Sequence, residues 1–133
     1  MIDVEGDASS EYGEFPLKRH LGMDVGGDGA GTAHLTIGPE HLNPNGVVHG
    51  AVLFALVDTA MGKATMNAIE AGRFCASIEV SLRFVRPAAA GDLTTVATVV
   101  KRGRTVVHLD ARVVGDDDRL IATAAGTFAI IDL

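Results

Sequence analysis

The chain has 133 residues, 47% of them hydrophobic and 21% charged, with a formal net charge of −6 at pH 7. That is one domain's length, enough to bury a core without staples, and the acidic balance argues against a nucleic-acid partner, whose phosphates require a basic field. The lone Cys75 excludes an intramolecular disulfide, and no Cys/His array has the spacing of a metal site.

Residues 1–14 are polar and acidic, with Ser9-Ser10 and scattered glycines, and read as a flexible tail before a single domain over 15–133. No apolar h-region follows Met1, so no secretory leader is expected. Phe15 to Leu21 suits a short helical turn. Gly22 to Gly27 and Thr32 to Ile37 read as strands joined through Gly26-Gly27-Asp28-Gly29; in the second, Ala33, Leu35 and Ile37 alternate with Thr32, His34 and Thr36. Gly38-Pro39 and Asn43-Pro44-Asn45-Gly46 punctuate a loop.

From about Gly50 to about Ala71 the sequence predicts one long helix, with Gly72 as its C-terminal cap. It is apolar nearly all round, so it should be covered on most sides. Its longest apolar run, Ala51 to Val57, stops at Asp58 and falls short of the ~20 residues a bilayer needs. The rest is sheet: Ala76, Ile78, Val80, Leu82 and Phe84 alternate with Ser77, Glu79, Ser81 and Arg83. Runs over 93–101, 105–114 and 120–131 follow, broken at Gly103 and at Gly115-Asp116-Asp117-Asp118. Short connections favour antiparallel pairing. The expected order is a strand pair, a buried helix and a four-strand meander wrapped around it.

Three features of 41–58 point to chemistry. A Gly/Asn/Pro loop runs straight into a helix start, whose free N–H groups and partial positive charge can stabilise a developing oxyanion, and Gly50 leaves that backbone open. Asp58 is the only acid in a long apolar helix, where a carboxylate usually has a task, often as a base with a raised pKa. Lys63, five residues on, is poorly spaced to pair with it and is expected at a solvent edge. Finally, Gly50 and Asp58 lie ~12 Å apart along one helix axis, too far to act on one carbonyl. If both serve one substrate, they come from two chains related by a twofold axis, with Ala60, Gly62 and Ala64 allowing two helices to approach.

The combined pattern resembles that of the hotdog-fold thioesterases, 4-hydroxybenzoyl-CoA thioesterase superfamily, in the branch like the phenylacetate-pathway thioesterase. It stands here as His41-Leu42-Asn43-Pro44-Asn45-Gly46-Val47-Val48-His49-Gly50-Ala51, then Leu56-Val57-Asp58-Thr59-Ala60, and the resemblance covers about residues 15–131. It implies an α+β hotdog fold and hydrolysis of a small aromatic or medium-chain acyl-CoA to acid and CoA, without a cofactor, by a cytoplasmic homodimer or homotetramer. It implies Asp58 as base or nucleophile, Gly50 N–H as the donor to the thioester carbonyl, and Asn43 beside that carbonyl. His49 would shape the loop and Ser77 would hold the water. One departure is Ala51, where the family has a second glycine.

CoA carries phosphates, and Lys101-Arg102-Gly103-Arg104, at a predicted hairpin tip, is the densest basic cluster to meet them, with Arg83 and Arg86 on another strand. Phe54 and Met61 suggest an apolar acyl pocket. His20, His34 and His108 read as surface or sheet residues. A noncatalytic acyl-CoA binding or sensing module, and a hydratase, are the competing readings.

Overall fold

The computed structural model describes residues 14–132. The expected tail over 1–14 lies outside them except at Glu14, whose Oε1 stands 2.7 Å from Arg19 Nη2.

A short helix α1 (Pro16–Leu21) leads through strands β1 (Asp24–Gly26) and β2 (Gly31–Thr36) to the long helix α2 (Gly50–Ala68). Strands β3 (Arg73–Phe84), β4 (Asp92–Arg102), β5 (Val106–Val114) and β6 (Leu120–Asp132) complete the chain. All pair antiparallel in one six-stranded sheet of order β1-β2-β4-β5-β6-β3. No described helix is long and apolar enough to cross a membrane.

The expected four-strand meander holds only for β4, β5 and β6. β3 pairs with β6 and forms the far edge, while β4 pairs with β2. The crossing is made by the Pro87-containing connection after β3, whose Ala88 and Gly91 carbonyls accept from Val48 and Ile37 N–H. That segment binds to the loop before α2 instead of turning back on β3.

α2 lies across the concave face of the sheet and buries Val52, Leu53, Leu56, Val57, Ala60, Met61, Ala64 and Thr65. It comes closest at β2, where a Cβ on Gly31 would overlap Ala60 O and stand 2.5 Å from Ala64 N. Ala60 and Ala64 are thus small because their own sheet packs on them, not because a second helix does. Met61 fills the centre over Gly126, where a Cβ would lie 2.5 Å from its Sδ.

Two expectations about α2 are corrected. It stops at Ala68, because Ile69 turns extended (φ −116, ψ 165), and Gly72 (φ +87) instead forms the turn into β3. The sheet also covers only one side of it. Ala51 and Phe54 are exposed, and Ala55, Asp58 and Gly62 are only partly covered, leaving an apolar face that adjoins the β3 edge.

Candidate active site

The loop before α2 is organised by its polar side chains. Asn43 Oδ1 accepts from Asn45 N–H at 2.9 Å and Val47 N–H at 3.3 Å, the local bonding for which asparagine is favoured in turns. Gly46 takes φ +81, and Leu42 bridges Val48. His41, 2% exposed, ties the loop to α1: its Nδ1 accepts from Gly38 N–H and its Nε2 donates to Leu21 O, each at 2.9 Å. His49 is the N-cap of α2, its Nδ1 accepting from Ala51 N–H at 2.8 Å. Gly50 then begins the helix, where an N–H has no intrahelical acceptor, and a Cβ there would lie 3.1 Å from Phe84 Cζ.

Asp58 sits eight residues on, ~12 Å along the axis, at a cavity of about 510 Å³ lined chiefly by α2 and β3, with Phe15, Val25 of β1 and Phe128 of β6. Its Oδ1 is buried with no hydrogen-bond partner among the described residues. Burial pushes its carboxyl above the ordinary carboxylate value, and the neighbouring Ser77 hydroxyl partly opposes that shift.

Ser77 reaches that position through a backbone irregularity. Plain alternation along β3 would put it on the face opposite Val80 and Leu82. The pairing with β6 instead shifts between Ser77 and Glu79, leaving Ile78 as the extra residue of a β-bulge. Ser77 pairs with Phe128, and Val80 with Gly126, both on the helix side of β6. The bulge re-aims one half of the strand, so Cys75 and Ser77 share the helix-facing side with Val80 and Leu82.

Phe15, Phe74, Phe128 and Met66 give the cavity its apolar walls. Phe54 and Met61, expected there, are elsewhere: Phe54 is 43% exposed and Met61 fully buried in the core. Lys63, expected near a solvent edge, is half-buried and lines the cavity. Cys75 lines it too, its thiol pushed up to about 11 by burial and, secondarily, by the charge of Asp58.

The basic cluster divides. Arg102, at the end of β4, donates from Nη2 to Glu70 Oε1 at 2.9 Å and Oε2 at 3.2 Å. Lys101 and Arg104 are exposed and carry no ion pair among the described residues. Arg86 is engaged with Leu120 O at 3.1 Å.

A family model described as the thioesterase superfamily matches residues 45–122, from the loop before α2 into β6. The chain belongs to the thioesterase superfamily. Three solved structures share its hotdog architecture. A variant of thioesterase PA1618 from Pseudomonas aeruginosa is 25% identical with TM-score 0.85, covering 100% of this chain and 96% of its own. The E. coli PaaI protein, from the phenylacetic acid degradation operon, is 26% identical with TM-score 0.84, over 95% and 91%. The conserved protein PA5202 from Pseudomonas aeruginosa is 31% identical with TM-score 0.83, over 88% and 94%. This thioesterase is accordingly a thioester hydrolase, built as an α+β hotdog.

The apolar residue pattern does not reveal the cavity walls. Phe15, Phe74 and Phe128 come from three separate parts of the chain, and only the bulge parity, invisible in the alternation, brings Cys75 and Ser77 to the helix side.

Proposed function

We propose that this thioesterase hydrolyses acyl-CoA thioesters of small aromatic or medium-chain acids to free acid and CoA. We further propose that it works in the cytoplasm as a homodimer or homotetramer. The observation that carries the reading is the buried, unpartnered Oδ1 of Asp58 at the head of a cavity walled by phenyl rings. A carboxylate with a raised pKa and a vacant acceptor is suited to take a proton from water, or to attack the thioester carbon directly. Ser77 would help hold that water and keep the acid ionised.

The oxyanion that forms on the carbonyl needs a donor, and Gly50 N–H at the positive end of α2 is suited to it. Asn43 and His49 act through the loop they brace, which fixes where that N–H points. Since Gly50 lies ~12 Å from Asp58 of its own helix, the donor comes from a second copy. The uncovered α2 face with Ala51 and Phe54, and the long unpaired edge of β3 exposing Ile78 and Phe84, support such pairing. Within the hairpin-tip cluster, Lys101 and Arg104 are available to CoA phosphates, whereas Arg102 must first leave Glu70.

The test is free-thiol release from a panel of acyl-CoA thioesters. Release from aryl and medium-chain members is expected. Binding without release would point to a sensor, and loss of the thioester's conjugated absorbance without free thiol to a hydratase. Single turnover in heavy-oxygen water separates the two roles of Asp58: label in its carboxylate means direct attack, and no label means general base.

A further inference from the structure

The cavity runs along α2 from Asp58 towards Met66, and its walls are mostly apolar. In pockets of this kind a few placed polar groups fix the ligand's orientation. Lys63 is the one cationic side chain among the described residues that line it. It is half-buried and makes no hydrogen bond or ion pair among the described residues. Asp58 does not satisfy it: the two are five residues apart on a helix, a poor spacing for pairing, and Lys63 is not among the influences on the Asp58 carboxyl.

We propose that Lys63 is a specificity-determining residue that selects acyl groups ending in a carboxylate. The inference rests on the thioesterase reading of this cavity. Lys63 stands ~7.5 Å beyond Asp58 along the helix axis. With the thioester carbon at Asp58, one benzene ring or a short methylene chain spans that interval and delivers a distal anion to the ammonium. The rings of Phe15, Phe74 and Phe128 line the same cavity, and a pair of charges in apolar surroundings is screened less than one in water. A neutral acyl group would leave the ammonium to turn outward to solvent, as long lysine stems can.

The test uses matched CoA thioesters: 4-carboxybenzoyl against 4-methylbenzoyl, and glutaryl against pentanoyl. The wild-type protein should favour the carboxylate member of each pair in kcat/KM by about tenfold or more, the size of one charge-assisted contact, with the difference in KM. In Lys63→Met that ratio should fall towards one, and Lys63→Arg should keep it. No preference in the wild type, or a ratio unchanged in Lys63→Met, overturns the proposal. Calorimetry with the non-hydrolysable S-(4-carboxybenzyl)-CoA and S-(4-methylbenzyl)-CoA reads the same preference without turnover. If no thioester releases thiol, the thioesterase reading fails, while the thioether pair still decides whether Lys63 binds a carboxylate. Should Lys63→Met unfold, Lys63→Gln takes its place.

Discussion

Asp58 on α2 and Ser77 on β3 meet at one cavity because the bulge at Ile78 reverses the parity of the strand between Ser77 and Val80. The acid is thereby placed against a hydroxyl on one side and apolar walls on the other. Burial raises its pKa and Ser77 restrains the rise.

Replacing Asp58 by asparagine should abolish most turnover and stabilise the protein. Loss of a positioned base lowers kcat by about a hundred- to ten-thousand-fold, read by thiol release. The stability effect follows from the direction of the shift. With its folded-state pKa raised, Asp58 contributes stability below the unfolded value of ~3.9, and that contribution is lost as the pH rises through the folded value. Once ionised, the partly buried carboxylate opposes folding, because the Ser77 hydroxyl only partly offsets its burial, and asparagine does not ionise. Asp58→Asn should melt above wild type at pH 7, with the gap narrowing as the pH falls through the folded value towards ~3.9 and constant below it. A lower melting temperature at pH 7 would contradict the burial assigned to the acid.

Ser77→Ala removes the group that opposes the Asp58 shift. The acidic limb of the kcat/KM profile against pH should move to higher pH, because the free enzyme's base then protonates more readily. A limb that stays in place would separate Ser77 from Asp58 functionally.

Much of this architecture was legible in the residues, and its failures share a cause. The α2 start, the loop with Asn43 and His49, and the isolation of Asp58 are local features that their own neighbours determine. Tertiary placement is not local. Alternation along 76–84 cannot show that Ile78 is an extra residue, since the bulge exists only against β6. The position of β3 beside β6 depends on the Val48 and Ile37 N–H groups donating to the crossing segment, which no hairpin signal encodes. Ala60 and Ala64, expected to let a second chain's helix approach, are buried against Gly31 of their own sheet instead.

Gly31→Ala tests that approach. The added methyl meets backbone atoms of Ala60 and Ala64, which cannot rotate away as a side chain would. Overpacking of this kind destabilises by about 1–3 kcal/mol. A lower denaturant midpoint with unchanged slope is expected.

The double charge reversal Lys101→Glu, Arg104→Glu should raise KM for CoA thioesters several-fold and leave kcat near wild type, with the penalty shrinking as salt is added. The pair is preferable to Arg102, whose reversal would also set a glutamate against Glu70. An unchanged KM would remove the hairpin tip from CoA binding.

The cross-subunit site is tested by mixing two inactive proteins. Gly50→Val places a side chain where a Cβ already meets the Phe84 ring at 3.1 Å and should disable the oxyanion donor. Asp58→Asn disables the acid. If each site takes Asp58 from one chain and Gly50 from the other, a mixed dimer holds one site with both groups damaged and one with both intact. Co-refolding the two variants should therefore restore thiol release that neither shows alone. If both groups act within one chain, every site in the mixture carries a lesion and no activity returns.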